Sequence, residues 1–263
     1  MSEKKFVEKS SEFFENLNND FIKNSIVFDE ISSTNEIAKE HAVKGESEGT
    51  IILSRVQKQG RGRYNRVWES PDGGVYISII IRPNCPPEKS MLLSLMVSII
   101  ISRTLSNYHI FPAIKWPNDV LIKGKKIAGI LIESESDQSH LKYVVVGIGI
   151  NVNVNIKNLS KKIREKSTSL LVETNKEVKY YEFLNKLLIT FNKYYKKFLS
   201  KEYDLIIQEW KTLSNTIGQR VMINQSSNPL TGKVIDIDKT GSLIIKISKN
   251  KYKKISSGEL IYL

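Results

Sequence analysis

Hydrophobic and polar residues follow two different periods along this chain, one typical of helices and one typical of strands. Helical spacing predicts an amphipathic helix within residues 4–23 and a second helix from Ser33 to about Lys44. Two further helices are predicted at 88–107, which is apolar around most of its circumference, and at 179–213. Short apolar runs predict strands at 25–31, 50–56, 74–82, 114–122, 126–133 and 141–150.

The pattern changes near residue 217, where long helices give way to short runs separated by turn residues. Turns are predicted at Asn228-Pro229, Lys239-Thr240-Gly241 and Ser256-Ser257-Gly258. Short strands between such turns indicate a small antiparallel barrel. The sequence therefore predicts a short helical extension at 1–24, an α+β domain at 25–216 and a small β-barrel domain at 217–263.

Composition narrows the class of protein and its partners. With 263 residues, 40% of them hydrophobic, the chain can bury a sizeable core. The net charge of +12 favours anionic partners such as nucleotides, nucleic acid or an acidic protein. The single cysteine, Cys85, cannot form an internal disulfide, which suits a reducing compartment. Because the start lacks the apolar segment of a signal peptide and the run Met91 to Ile101 is too short to span a bilayer, we expect a cytoplasmic protein without membrane contact.

The candidate chemistry is that of anion binding. The sequence has no Cys/His cluster typical of a transition-metal site, no spacing that suggests a nucleophilic triad and no Walker-type phosphate loop. What remains is a set of cations, Arg61, Arg63, Arg66, Lys115 and Lys126, with polar side chains nearby. Such a set suits the attack of one anion on another, since fixed cations and a divalent metal offset the repulsion between the reactants.

The stretch from Gln57 to Trp68 concentrates these cations, and two glycines alternate there with Arg61 and Arg63. Glycine lets the backbone approach a ligand closely, and arginine adds a planar charge suited to carboxylate and phosphate oxygens. We expect this loop to be mobile when empty and to order around an anionic ligand. A solvated basic turn or a nucleic-acid-binding patch would have the same composition, so the residues alone leave those alternatives open.

Three other positions carry local signals. Ser33 and Glu36 have the spacing of a capping box at the start of a helix. The segment Trp116-Pro117-Asn118-Asp119 interrupts the predicted strand at 114–122 and predicts a bent edge that presents polar groups. Gly129 lies inside another predicted strand, which indicates that a neighbouring group packs against the backbone there.

From about Val27 to Leu263 the chain resembles the biotin–protein ligases. That resemblance implies an α+β fold, with a class II synthetase-like mixed or antiparallel sheet flanked by helices and followed by a small SH3-like β-barrel. It also implies a form that lacks the N-terminal DNA-binding domain of some relatives. The motifs that carry it are Ser33-Thr34-Asn35, Gln57, Gly60-Arg61-Gly62-Arg63, Trp68, Lys115-Trp116-Pro117-Asn118-Asp119, Lys126 to Glu133, Gly147 to Asn151 and Ser257-Gly258-Glu259.

The resemblance implies a two-step reaction with biotin and ATP as substrates and Mg²⁺ as the expected metal. The biotin carboxylate attacks the α-phosphate of ATP, giving biotinyl-5′-AMP and pyrophosphate. A specific lysine of a biotin carboxyl carrier domain of a carboxylase then takes the biotinyl group.

The same resemblance assigns roles to residues. Lys126 and Arg63 are the catalytic candidates, and Trp68 is expected to cap the adenine ring of ATP or the adenylate. Metal ligands remain unassigned. The candidates for binding biotin are Ser33, Thr34, Asn35, Gln57, Gly60, Arg61, Gly62, Arg63, Lys126 and Gly129. The candidates for binding ATP or the adenylate are Arg63, Arg66, Trp68, Lys115, Asn118, Asp119, Lys126 and Asn151.

The chain departs from the family pattern in the cationic loop. Asn65 stands where the family commonly has glycine, and Tyr64 and Val67 stand where polar residues are usual. Asparagine tolerates a left-handed backbone better than most residues, so closure of the loop is still expected.

Several alternatives to this function stay open on the sequence. The nearest is a lipoate–protein ligase, which shares the fold and the adenylation chemistry. A nucleic-acid-binding protein and a non-catalytic biotin-binding protein are more distant alternatives. The family resemblance makes a homodimer possible and predicts no specific DNA binding.

Overall fold

A computed structural model describes residues 3–224 and 229–263, which form two β-sheets with helices packed on them. The larger sheet lies within residues 24–150 and is rich in isoleucine and valine, because β-branched side chains suit a pleated, buried backbone. Its strands are β1 (Asn24–Ile31), β2 (Thr50–Gln57), β3 (Val75–Ile81), β4 (Ala113–Lys115), β5 (Asp119–Ile122), β6 (Lys125–Ser136) and β7 (Leu141–Ile150).

The larger sheet is mixed, with the strand order β1-β2-β3-β7-β6-β5-β4. β1 and β2 are parallel, and the other neighbouring strands are antiparallel. β3 pairs with β7 along its whole length, and every one of its residues is buried. The predicted α+β class with a mixed sheet is therefore confirmed.

Helices cover the larger sheet. They are α1 (Glu3–Glu15), α2 (Thr34–Val43), α3 (Ser90–Ser106), α4 (Lys161–Arg164), α5 (Leu170–Thr174), α6 (Tyr180–Leu199) and α7 (Tyr203–Leu213). α3 packs against β6, α6 and α7. In the part of the chain that the structure describes, the helical stretch Pro87–Ser106 is long and apolar enough to cross a membrane, yet 72% of its apolar window is buried inside the protein. It therefore has the burial expected of a core helix.

Two predicted helices differ from those observed. The first ends at Glu15 rather than near residue 23, because the asparagine-rich sequence that follows favours turns. There the Asn16 side-chain amide donates to the Glu12 carbonyl over 2.8 Å. The helix predicted at 179–213 is two helices, α6 and α7, because Lys201 between them has a left-handed backbone with a φ of 61°.

The Trp-Pro-Asn segment forms a turn at the edge of the larger sheet. The strand predicted at 114–122 is the antiparallel hairpin of β4 and β5, and β4 is the last strand in the sheet. The expectation of a bent edge is thus confirmed, although the bend is a full turn. Trp116 donates through Nε1 to the Gly241 carbonyl over 3.0 Å, and the Ser94 hydroxyl of α3 donates to the Pro117 carbonyl over 2.9 Å. These bonds fix the turn that presents Asn118.

The smaller sheet is antiparallel, in keeping with the predicted C-terminal barrel. The turn predicted at Lys239-Thr240-Gly241 is confirmed, and Gly241 has a φ of 82° there. Met1 and Ser2 of the predicted extension, and Asn228 of another predicted turn, lie outside the described residues. The strands are β8 (Arg220–Asn224), β9 (Leu230–Ile237), β10 (Leu243–Ser248), β11 (Lys251–Ile255) and β12 (Glu259–Tyr262), in the order β11-β10-β9-β8-β12.

Candidate active site

A cavity of about 310 Å³ lies where the larger sheet, the loop after β2 and the smaller sheet meet. Every residue predicted for the site lines this cavity except Gly60. Gly60 lies within the turn of the loop, where a Cβ would come within 2.3 Å of the Trp68 carbonyl oxygen. The residues brought together are Ser33, Thr34, Asn35, Gln57, Arg61, Gly62, Arg63, Arg66, Trp68, Lys115, Asn118, Asp119, Lys126, Gly129 and Asn151.

Neutral polar groups form one end of the cavity, at the start of α2. The Gln57 side-chain oxygen accepts from the Thr34 backbone N–H over 2.8 Å and from the Thr34 hydroxyl over 3.1 Å. The Ser78 hydroxyl of β3 lies 2.8 Å from the Thr34 hydroxyl and 2.7 Å from the Asn35 side-chain oxygen. The capping box predicted for Ser33 and Glu36 is wrong, because Ser33 is at the N-cap but, in the part of the chain described, its side chain makes no capping bond. Gln57 binds the first turn of α2 instead.

Asn35 is held in one orientation by groups on two strands, β3 and β6. Its amide nitrogen donates to Glu133 Oε2 over 2.8 Å, while its oxygen faces Ser78. Glu133 Oε1 also lies 3.4 Å from Arg61 Nη1. A Cβ on Gly147 would come within 2.0 Å of the Asn35 oxygen, so this position requires glycine. Ser78 was missed by the sequence analysis, because a serine inside the continuous apolar strand β3 carries no signal of a binding site.

A cluster of cations lines another part of the cavity. Lys126 Nζ lies 2.6 Å from Asp119 Oδ1, and Arg63 Nη1 donates to the Asn118 side-chain oxygen over 3.3 Å. Burial lowers the pKa of Lys115 from its ordinary value, an effect that the nearby Asp119 and Glu259 carboxylates oppose. Such an arrangement can bind a carboxylate or phosphate by charge and by directed hydrogen bonds.

The Trp68 ring lies over two glycines of the larger sheet. A Cβ on Gly149 would come within 2.5 Å of the Trp68 ring nitrogen, and one on Gly129 within 3.2 Å of ring carbon Cζ3. The expectation that a group packs against Gly129 is therefore confirmed. Lys126 Nζ lies 5.1 Å from the centre of the same ring. Among the described residues, the buried Trp68 Nε1 has no hydrogen-bond partner.

The cationic loop closes on itself as a narrow turn. The Trp68 N–H donates to the Gly60 carbonyl over 2.8 Å, and the Gly62 N–H donates to the Arg66 carbonyl over 2.7 Å. Asn65, at the family's usual glycine position, takes the left-handed backbone that the sequence analysis expected it to tolerate, with a φ of 57°. Arg66 forms an ion pair with Glu259 of β12, which lowers the pKa of that carboxyl.

Two segments outside the predicted set of site residues also line the cavity. Leu159 and Ile163 come from the segment 154–176, for which the sequence predicts neither a helix nor a strand. This segment is anchored to β6, because the Lys126 N–H donates to the Lys166 carbonyl over 2.8 Å and the Thr168 N–H donates to the Lys126 carbonyl over 3.0 Å. Residues 258–260 of the smaller sheet complete the lining.

Comparison with known proteins identifies the family. Residues 27–151 match the biotin/lipoate A/B protein ligase family, and residues 216–261 match the C-terminal domain of biotin protein ligases. The bifunctional ligase/repressor BirA of Bacillus subtilis is 31% identical over 237 residues, which are 89% of this chain and 73% of that protein. The chain belongs to the biotin/lipoate A/B protein ligase family. Within that family it is a ligase of the biotin–protein ligase type, which confirms the resemblance inferred from its motifs.

Two further relatives place the chain within the biotin–protein ligases. The biotin–[acetyl-CoA-carboxylase] ligase of Paracoccus denitrificans is 29% identical over 77% of this chain and 86% of that protein. The structure of biotin protein ligase from Aquifex aeolicus in complex with biotin and ATP superimposes with a TM-score of 0.77. It has 30% sequence identity and covers 92% of this chain and 99% of that one.

Proposed function

We propose that this chain activates biotin with ATP to biotinyl-5′-AMP, releases pyrophosphate, and transfers the biotinyl group to a lysine of a biotin carboxyl carrier domain. The observation that carries the proposal is that one cavity is lined both by neutral polar groups at the start of α2 and by a separate cluster of cations around Lys126 and Arg63. Biotin likewise has an uncharged ureido ring system at one end and a carboxylate at the other.

The neutral end suits the ring system of biotin. Thr34, Asn35 and Gln57 supply hydroxyl and amide groups whose orientations are already set by hydrogen bonds within the protein. Polar groups that are fixed before binding lose little entropy when the ligand arrives. Ile148 and Leu131 add apolar surface to the same cavity.

The cluster of cations suits the junction of carboxylate and α-phosphate. Lys126 and Arg63 would offset the repulsion between these two anions and stabilise the negative charge that builds up as the oxygen attacks phosphorus. No covalent bond to the protein is required, because alignment of the two bound substrates supplies much of the rate. Lys126 is paired with Asp119 at 2.6 Å, so its ammonium group is already held beside the cavity.

The donor groups fit a magnesium ion that arrives with the phosphates of ATP. Among residues 3–224 and 229–263, no group of three or more His, Cys, Asp or Glu side chains could hold a metal ion. Magnesium needs only one or two carboxylates when phosphates complete its coordination, and Asp119, with Asn118 beside it, would provide the protein's share. When bound, the ion would neutralise phosphate charge.

In the second step a lysine amine of the acceptor would attack the carbonyl carbon of the mixed anhydride and release AMP. Lys126 and Arg63 would then stabilise the leaving phosphate, as they stabilise the attack in the first step. The relative from Paracoccus denitrificans is named for an acetyl-CoA carboxylase, which supports a carboxyl carrier domain as the acceptor here.

Biotin-dependent exchange of labelled pyrophosphate into ATP tests the first step. We expect exchange that requires both biotin and Mg²⁺, with lipoate at equal concentration supporting little or none. Exchange driven by lipoate and not by biotin would show that the chain is a lipoate ligase. The absence of exchange with either acid would contradict the proposed activation step.

A further inference from the structure

Tyr64 is unusual in the cationic loop because an aromatic residue takes a left-handed backbone there, with a φ of 56°. Bulky L-residues rarely adopt this conformation, which is often found at functional sites. The side chain is 59% exposed, so burial of the ring does not explain the conformation. The ring and the hydroxyl both contact Arg63. The guanidinium carbon lies 5.0 Å from the ring centre, and Arg63 Nη2 donates to the Tyr64 hydroxyl over 3.0 Å.

The contact with Tyr64 leaves the other end of the guanidinium directed across the cavity. While Nη2 binds Tyr64, Nη1 of Arg63 donates to the Asn118 side-chain oxygen over 3.3 Å. One side chain therefore joins the loop to the turn between β4 and β5. Arginine has many rotamers, and its binding of an anion is favoured when neighbouring groups already restrict them.

The turn itself does not require tyrosine. Tyr64 and Asn65 both have left-handed backbones, and the turn is closed by the bond from the Gly62 N–H to the Arg66 carbonyl. Glycine adopts such a backbone without steric cost, so a tight turn alone would be served better by glycine. Tyr64 thus has a ring at a position whose left-handed backbone disfavours bulky side chains, and that ring contacts Arg63.

We propose that Tyr64 is a positioning residue that holds Arg63 over the phosphate end of the cavity and so slows the escape of biotinyl-5′-AMP. The inference rests on the proposed function, since it concerns the adenylate that the reaction would form. Tyr64 does not itself react. It acts through the orientation of the Arg63 guanidinium.

The test compares Tyr64→Gly, which removes the ring but accepts the backbone, with Tyr64→Phe, which keeps the ring. Synthetic biotinyl-5′-AMP is bound to each purified protein, and its release is timed after addition of excess biotin and ATP analogue. We expect Tyr64→Gly to speed release by about two- to fivefold, as for loss of an exposed cation–π contact, and Tyr64→Phe to stay within about twofold of wild type.

In an Arg63→Ala background, Tyr64→Gly should have no further effect. Tyr252→Ala, which removes a ring that is 56% exposed on β11, is the control.

The release rates test the role of Tyr64, and the formation of adenylate from biotin and ATP tests the proposed reaction. Equal release from wild type and Tyr64→Gly would overturn the role of Tyr64, as would an equal effect of Tyr64→Gly with and without Arg63. Wild-type protein that binds the synthetic adenylate but forms none from biotin and ATP would overturn the proposed reaction, and the release rates would still decide the role of Tyr64. A failure of wild type to bind the adenylate would overturn both.

Discussion

At the scale of single residues, adjacent lysines in β6 have different surroundings. Successive side chains of a strand point to opposite faces, so only one of the two can face the cavity. Lys125 is exposed to solvent, whereas Lys126 lines the cavity beside Asp119 and Trp68. Of the two ammonium groups, only that of Lys126 is therefore placed to stabilise charge on a ligand in the cavity.

Replacing each lysine in turn tests this difference. We expect Lys126→Ala to lower the rate of biotin-dependent pyrophosphate exchange by about a hundredfold or more, as for loss of one charge-stabilising group in an active site. Lys125→Ala should leave the rate within about twofold, since its ammonium is solvated and outside the cavity. The reverse pattern would show that the other lysine stabilises the transition state, and circular dichroism spectra of both variants would exclude misfolding as the cause.

How far the site could be predicted from sequence depends on whether a residue's chemistry differs from that of its neighbours. Arg61 and Arg63 could be found because a glycine- and arginine-rich loop between apolar strands is unusual for a core. Ser78 and Ile163 could not, because a small hydroxyl in an apolar strand and an isoleucine in a polar segment are common everywhere. Packing of α2 on β3 places Ser78 behind Thr34 and Asn35, and pairing of segment 154–176 with β6 brings Ile163 to the cavity.

At the scale of elements, the turn between β9 and β10 connects the two sheets. Asp238 accepts from the backbone N–H groups of Thr240 over 2.8 Å and Ser242 over 3.1 Å, which fixes the turn. The Gly241 carbonyl in this turn accepts from Trp116, which lies in the turn carrying Asn118. Burial raises the pKa of Asp238, but the ion pair with Lys254 and the bonds from Thr240 and Ser242 outweigh that effect and lower the pKa to about 2.

This lowered pKa predicts how stability depends on pH. A carboxyl with a lower pKa in the folded state binds fewer protons there than in the unfolded state, so its contribution is complete above its ordinary pKa of 3.8 and is lost as pH falls to about 2. That contribution is of the order of 2 kcal/mol. We expect Asp238→Asn to lower the free energy of unfolding at pH 7 by that order, measured by urea denaturation, and the difference from wild type to shrink below about pH 4. A difference that is constant down to pH 3 would contradict the assignment.

The helices show which features of the elements hydrophobic periodicity can predict and which it cannot. Periodicity placed α3 well, because its apolar surface is nearly continuous. It could not separate α6 from α7, since the break depends on one left-handed residue, Lys201, within an amphipathic pattern that continues on both sides. The hairpin of β4 and β5 was likewise predicted as one bent strand, because both halves are apolar.

At the scale of the whole molecule, the cavity is completed by a second sheet that lies far away in sequence. Gly258, Glu259 and Leu260 line it together with the loop after β2. Arg66 of that loop pairs with Glu259, and the interaction raises the pKa of the arginine while it lowers that of the carboxyl. The smaller sheet therefore restrains the part of the larger domain that would have to order around the adenylate.

A second ion pair between the two parts of the molecule provides a matched control for this restraint. Lys211 of α7 and Asp236 of β9 lie 2.7 Å apart, and neither lines the cavity. We expect Glu259→Ala to speed the release of biotinyl-5′-AMP by up to about fivefold, the range for a partly exposed ion pair, and Lys211→Ala to leave release unchanged.

The salt dependence of biotinyl-5′-AMP release distinguishes loss of the Arg66–Glu259 ion pair from weaker packing of the smaller sheet against the rest of the protein. Because ions screen an exposed pair, the difference in release rate between wild type and Glu259→Ala should shrink as the salt concentration rises from about 0.05 M to 1 M. Arg66 is 59% exposed, so it is accessible to this screening. If Lys211→Ala and Glu259→Ala sped release equally, the cause would be docking of the whole smaller sheet, and the specific role of the Arg66–Glu259 pair would be wrong.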